Sequence, residues 1–223
     1  MLIQSLIYHD FTLIDLVGAL QPLAMIPGAK TEFVAKVEGP ISTDSGVVMV
    51  ANRNFKNASQ QPDVLLVPGG GKPSIDILED KESIDFVALQ GERAGWLVGV
   101  CTGPLLLAKA GLLKGYRAAA HWAVIDTLDA FGAIPVHERV VIDRNRCTGG
   151  GMTAGVDIGL TMVGQLAGKE LGQMTEMILE YNPEPPFKTG HPTISDRATI
   201  EKAKQMFESI APEDRIRSIA ATE

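Results

Sequence analysis

Apolar and polar residues follow two rhythms along this chain. Short apolar runs bounded by turn residues, at 3–8, 31–36, 64–67 and 96–100, read as buried strands. Between them lie stretches with helical spacing. Residues 13–25 form one, with Thr12 placed to cap it; residues 79–94 form another, with Ile84, Val87 and Leu89 set among charges. Residues 102–113 read as an apolar helix closed by Lys114-Gly115. A short strand at 117–120, a helix at 123–131 capped by Gly132, and a hairpin over 138–148 follow. Two further helices are predicted at 153–166 and 169–181. The glycine- and proline-punctuated segment around 46–51 reads as an antiparallel excursion. Asn182-Pro183-Glu184-Pro185-Pro186-Phe187 cannot continue a helix. Beyond it the pattern predicts one polar helix, about 194–210, packed on the outside. Strands alternating with helices predict an α/β domain with a mostly parallel sheet. No repeat or linker divides the chain, so residues 1–223 are expected to form a single domain.

Composition excludes several classes. The chain is 45% hydrophobic and 21% charged, which is ordinary for a globular domain. Its formal net charge is −7 and no basic stripe occurs, so nucleic-acid binding has no electrostatic footing. No apolar run reaches the ~18 residues that a membrane span needs. The start, MLIQSLIYHDF, lacks the basic region and cleavage site of a secretory signal. Only Cys101 and Cys147 are present, so a disulfide framework is not expected and a reducing cytoplasm is. Two cysteines and four scattered histidines offer no metal-ligand spacing, and no cofactor is expected.

One cysteine carries the chemical argument. Cys101 ends the apolar strand WLVGV and precedes the helical TGPLLLAKAGLL. A nucleophile at that junction sits on a sharp strand-to-helix turn above the carboxyl edge of the sheet, where open α/β sheets bind ligands. Free N–H groups at the helix start favour negative charge, so a thiolate with a lowered pKa is expected there. The alternative is a small buried core residue.

Several segments resemble the ThiJ/PfpI superfamily, whose members share a class I glutamine amidotransferase-like domain. They are IDLVGALQPL at 14–23, DVLLVPGG at 63–70, VGVCTGPLLLAKAGLLKG at 98–115, RAAAHW at 117–122, GAIPVHERVVIDRNRCTGGGMTAGVD at 132–157 and LEYNPEPPF at 179–187. The resemblance covers the chain to about residue 187 and leaves 188–223 as a loosely matched helical tail. It implies a flavodoxin-like three-layer sandwich with Cys101 at a nucleophile elbow. Within the superfamily, peptidases carry histidine after the cysteine, whereas here that position is Thr102. Many members carry a glutamate in the first helix, whereas here the acid is Asp15, as in isocyanide hydratases; by position alone Asp15 also suits a helix start, where the dipole favours an acid. The AraC-type regulators of the superfamily need a second, DNA-binding half, for which residues 188–223 are too few.

The resemblance therefore implies a cysteine-dependent enzyme that converts isocyanides and water to N-substituted formamides through a thioimidate on Cys101, with Asp15 moving protons. Thr102 would hold substrate or water by its N–H or hydroxyl, or simply begin the helix. Gly70 and Gly71 would bring backbone N–H groups near the cysteine, or make a tight turn. His121, Trp122 and Met152 are further candidates for the substrate pocket, with a hydrogen-bonded structural histidine and a core tryptophan as the alternatives for the first two, and a homodimer is implied. Two alternatives stay open: a glyoxalase-like or other small-molecule hydrolase using the same cysteine, and a non-catalytic oxidative-stress sensor. Cys147 reads as a bystander, and Gly149–Gly151 lacks the spacing of a nucleotide loop. Asp157 is expected to cap a helix or pair internally. Met174 and Met177 are expected in the core or at a dimer contact.

Overall fold

The computed structural model describes residues 1–222. Its strands are β1 (Leu2–Leu6), β2 (Lys30–Ala35), β3 (Gly39–Ser42), β4 (Val48–Ala51), β5 (Arg53–Asn54), β6 (Val64–Val67), β7 (Trp96–Val100), β8 (Arg117–Ala118), β9 (Ile134–Pro135), β10 (Val140–Asp143) and β11 (Arg146–Gly149). Its helices are α1 (Leu13–Ala24), α2 (Gly71–Ile77), α3 (Lys81–Arg93), α4 (Gly103–Lys109), α5 (Ala154–Ala167), α6 (Lys169–Ile178), α7 (Arg197–Ile210) and α8 (Glu213–Ala221).

Seven strands form one sheet in the order β10-β11-β7-β6-β1-β2-β5. Every pairing in it is parallel except the β10–β11 hairpin. The expected excursion is the antiparallel pair β3–β4, which lies outside this sheet. Helices cover both faces of the sheet, so the central strands are apolar throughout rather than alternating. All four residues of β6 are fully buried. From β1 the chain runs to β2 on one side, then returns through β6 to β7 on the other. The crevice between the carboxyl ends of β1 and β6 is thus the switch point of the sheet.

Helix α1 lies directly against α5, and glycine makes that approach possible. A Cβ on Gly155 would come within 3.3 Å of the Ala19 nitrogen, and one on Gly159 within 2.6 Å of the Ala19 carbonyl oxygen. This close packing sets the depth of the first turn of α1, which carries Asp15.

Several expectations are corrected. Helix α4 stops at Lys109 rather than near Leu113, because Gly111 (φ 77°) and Gly115 (φ 72°) take left-handed turns. The helix expected at 123–131 is a 3-10 helix over Ile125–Phe131, with Gly132 (φ 77°) ending it as foreseen. The tail holds two helices, not one, and α2 follows the Gly69-Gly70 turn where no helix was predicted. Met174 and Met177 face outward at 52% and 81% exposure, so they are not core residues. Thr12 stands at the start of α1, but its side chain makes no cap bond. Asp44 Oδ1 accepts the Leu13 N–H instead, at 3.1 Å.

The two glycines of α5 give opposite expectations. Gly159→Ala should lose about 1–3 kcal/mol through overpacking against α1, more than the ~1 kcal/mol that alanine contributes to helix propensity. Gly164, on the same helix, has nothing within 4 Å of an added Cβ. Gly164→Ala should therefore be neutral or stabilising by up to ~1 kcal/mol. Urea unfolding of both variants tests the pair, and equal effects would refute the packing account.

Candidate active site

Cys101 lies between the end of β7 and the start of α4, with φ at 63°. This is the left-handed region, which disfavours any side chain with a Cβ by about 1–2 kcal/mol. The backbone is held there from both sides. The Cys101 N–H donates to the carbonyls of Gly149 (3.2 Å) and Gly150 (3.1 Å), and its own carbonyl accepts the His121 N–H at 2.8 Å. Gly103 follows two residues later, where a Cβ would collide with the Val67 carbonyl. The turn is therefore tight because β6 and α4 touch backbone to backbone.

Asp15 is fully buried beside this cysteine. Its Oδ2 accepts the Gly69 N–H at 3.1 Å. Its Oδ1 has no hydrogen-bond partner, and the Cys101 thiol and the Met152 N–H lie beside the carboxyl. Burial raises the Asp15 pKa to about 7, against the opposing pull of the Cys101 thiol and the Gly69 N–H. The thiol is pushed up as well, first by burial and then by the Asp15 charge, while the N–H groups of Met152 and Thr102 pull it back. This corrects the expectation of a resting thiolate. The site is a thiol paired with a carboxyl poised at neutrality, which can accept the thiol proton when sulfur attacks.

The expected site residues gather around this pair with altered roles. The Thr102 N–H faces the sulfur, but its hydroxyl is committed elsewhere. That hydroxyl accepts the Gly70 N–H at 3.1 Å and lies 2.7 Å from Ser74 Oγ, which donates to the Gly71 carbonyl. Gly70 thus serves the turn rather than the sulfur, and Gly71 (φ 49°) opens α2. Met152 turns its N–H inward, toward Cys101 and Asp15, and leaves its side chain 45% exposed. Together with His121 and Trp122 it lines a cavity of about 400 Å³. Burial holds His121 neutral, with its pKa lowered to about 4.

Sequence reasoning missed Gly69, Ser74 and Tyr8. A Cβ on Gly69 would sit 2.5 Å from Thr102 Oγ1 and 2.7 Å from Asp15 Oδ2, so only glycine fits there. The Pro-Gly-Gly run was the available signal. The Tyr8 hydroxyl donates to the Pro68 carbonyl at 3.0 Å and anchors the same turn. Cys147 is buried, with its pKa pushed up to about 12. Asp157 pairs internally, with Arg139 at 2.6 Å and the Tyr181 hydroxyl at 2.9 Å. No cluster of His, Cys, Asp and Glu suited to a metal ion occurs among the described residues. None of the described helices is long and apolar enough to cross a membrane.

Comparison with known proteins supplies the context for this geometry. The sequence model of the DJ-1/PfpI family matches residues 2–165. The isonitrile hydratase of Pseudomonas putida is 38% identical over 200 residues, covering 90% of this chain and 87% of that protein. The HTH-type transcriptional regulator GbdR of Pseudomonas aeruginosa is 31% identical over 183 residues, covering 78% of this chain but only 49% of the regulator. A crystal structure of a ThiJ/PfpI family protein from Pseudomonas syringae superposes with a TM-score of 0.95 at 36% identity, over 99% of this chain and 90% of that one.

The raised Asp15 pKa has a consequence for stability. In the folded chain the carboxyl keeps its proton up to about pH 7, whereas in the unfolded chain it ionises near 3.8. Wild-type stability should therefore fall as pH rises from about 4 to 7 and level off above. Asp15→Asn cannot ionise, so it should gain on wild type by roughly 2–4 kcal/mol between pH 5 and pH 8. Urea unfolding at the two pH values measures this, and a pH-independent difference would contradict the raised pKa.

Proposed function

The chain belongs to the DJ-1/PfpI family, and from that premise we propose that it is an isocyanide hydratase acting through Cys101. One observation carries the reading: a fully buried aspartate with a free carboxyl oxygen lies against the elbow cysteine. The likeness to the Pseudomonas putida isonitrile hydratase across nine-tenths of the chain supports it.

The chemistry follows from that pair. An isocyanide, R–N≡C, is attacked at its terminal carbon. The Cys101 sulfur forms the new C–S bond as its proton passes to Asp15, and Asp15 hands that proton to the same carbon. The product is a thioimidate, R–N=CH–S–Cys101, with Asp15 ionised. Asp15 next takes a proton from water while the hydroxide adds to carbon, and hands that proton to the nitrogen, leaving Asp15 ionised again. The adduct R–NH–CH(OH)–S–Cys101 then collapses. The C–S bond breaks, the hydroxyl proton returns to sulfur through Asp15, and the formamide R–NH–CHO leaves. Covalent catalysis divides one difficult hydration into two easier additions. The Met152 and Thr102 N–H groups steady negative charge on sulfur at each end of the cycle. The Gly69 N–H occupies Oδ2 and leaves Oδ1 to move protons. No step calls for a metal or organic cofactor.

Two further assignments belong to this proposal. The working unit is a homodimer, supported by the exposed apolar row of Met174, Met177 and Ile178 on α6. The compartment is the cytoplasm, since a reducing environment suits two unpaired thiols.

Purified protein should convert p-nitrophenyl isocyanide to its formamide, and Cys101→Ala should abolish turnover. Asp15→Asn should lower kcat/KM by about 10²–10⁴-fold, the usual contribution of a positioned acid-base group. The wild-type rate should rise with pH through about 7 as Asp15 ionises, and this rise should vanish in Asp15→Asn. Turnover surviving Cys101→Ala would refute the mechanism. Inactivity on isocyanides with turnover of glyoxals would instead favour the glyoxalase-like alternative on the same cysteine.

A further inference from the structure

The family match ends at residue 165, yet a segment well beyond it reaches the cysteine's surroundings. Helix α7 is polar and has no fully buried residue. Only Ile200, Ala203, Phe207 and Ile210 on it are half-buried, along one stripe at helical spacing. Two of these meet the structures that flank Cys101. The Phe207 ring stacks on the His121 ring, with centroids 4.1 Å apart and planes 8° from parallel. His121 is the residue whose N–H holds the Cys101 carbonyl. On the other flank, Ile210 Cδ1 lies 3.7 Å from where a Cβ on Gly71 would stand. Gly71 adjoins Gly70, whose N–H holds Thr102.

The tail is fixed in that place from two sides. Arg215 on α8 pairs with Asp76 of α2 at 2.6 Å and with Glu79. Arg217 pairs with Asp129 of the 3-10 helix at 2.8 Å. Lys109, at the end of α4, donates to the Ile219 carbonyl at 2.9 Å. Ala211, Ile216 and Ile219 are buried, so the α7–α8 pair is docked rather than loose. Cys101 itself is only 3% exposed.

Space remains on either side of this contact. A cavity of about 620 Å³ lies between α7 and the Trp122–Thr127 turn, with Phe207 in its wall. The cavity of about 400 Å³ on the Met152 side includes His121. Trp122 borders both, so the stacked Phe207–His121 pair stands at their boundary.

We propose that Phe207, supplied by the C-terminal helix, is a specificity-determining wall of the Cys101 site that restricts the breadth of the electrophile reaching the sulfur. A narrow group approaches beside the His121 ring, whereas a group as wide as a phenyl ring meets Phe207. The proposal rests on Cys101 being the reacting group, and on nothing particular to isocyanides.

The test uses the full chain and one reactive carbon carried on two bodies, iodoacetamide and N-phenyl iodoacetamide. Each alkylates a thiol by forming an S–CH2 bond as iodide leaves and the thiol proton is lost. Labelling rates at Cys101 are read by peptide mass spectrometry for wild type, Phe207→Ala, Phe207→Leu and Phe207→Trp. Cys147, fully buried on strand β11, reports any loss of fold. Phe207→Ala should raise the ratio of bulky to small reagent rates at least tenfold, Phe207→Leu should fall between, and Phe207→Trp should lower it. Cys147 should remain unlabelled. Ratios that stay constant across the series while Cys101 labels would overturn the proposal. Where Phe207→Ala exposes Cys147, the Leu and Trp variants decide. Because the readout is alkylation, failure of the hydratase reading leaves this result standing, and a constant ratio leaves the hydratase reading standing.

Discussion

A carboxyl without access to water, set against a thiol on a backbone at positive φ, is the arrangement on which the rest of this site depends. Each part is unfavourable alone. The left-handed backbone at Cys101 costs about 1–2 kcal/mol, and ionising the buried Asp15 costs roughly 4 kcal/mol more than in water, judged from its rise to about pH 7. Such a site persists only when its surroundings over-determine it. Here they do so by backbone contacts. The Gly149, Gly150 and His121 main chain clamps the elbow, and the Gly69 N–H clamps the carboxyl. Each clamping group is main chain, so the geometry follows from the strand register of β6, β7 and β11.

That dependence explains why parts of the site were legible in the sequence and others were not. An apolar five-residue run ending in cysteine and followed by an apolar helical stretch marks a strand-to-helix turn by local pattern alone. An aspartate within Leu13-Ile14-Asp15-Leu16-Val17 is conspicuous for the same reason, since burial there needs a purpose. The central strands were legible because short, mostly apolar runs between turn signals admit few other readings, and the β10–β11 hairpin because Arg144-Asn145 separates two strand-like runs. The end of α4 was not. Its apolar residues continue to Leu113 with helical spacing, and only the left-handed turn at Gly111 stops the helix.

The direction of the thiol pKa shows a different limit. Helix-start N–H groups can be inferred from sequence, and the Thr102 N–H is indeed directed at the sulfur. The outcome, however, is a contest between those N–H groups and the removal of water, and burial acts over the whole neighbourhood. Cys101 retains 3% of its exposure and Asp15 none, so desolvation wins and both groups move toward their neutral forms. The roles of Gly69 and Ser74 were hidden likewise, because they come from contacts between segments about 30 and 50 residues apart. Phe207 lies 86 positions from His121 in a stretch that reads as an ordinary polar surface helix.

A frame of this kind is matched in an isonitrile hydratase and in half of a transcriptional regulator, so the fold cannot itself select a chemistry. What can select it is the short list of groups within reach of the sulfur, and side-chain length matters among them. The Asp15 carboxyl is fixed by one N–H on Oδ2 while Oδ1 has no nitrogen or oxygen donor. A glutamate at position 15 would carry its carboxyl one methylene further from α1. Gly69 already leaves no room for a Cβ against Asp15, since that atom would fall 2.7 Å from Oδ2. A longer acid would therefore have to slide past the Gly69 N–H, exchanging a carboxyl held by the turn beside Cys101 for one differently held. The spacing between α1 and the β6 turn, itself set by the glycine contact of α1 with α5, thus makes the difference between aspartate and glutamate a chemical one.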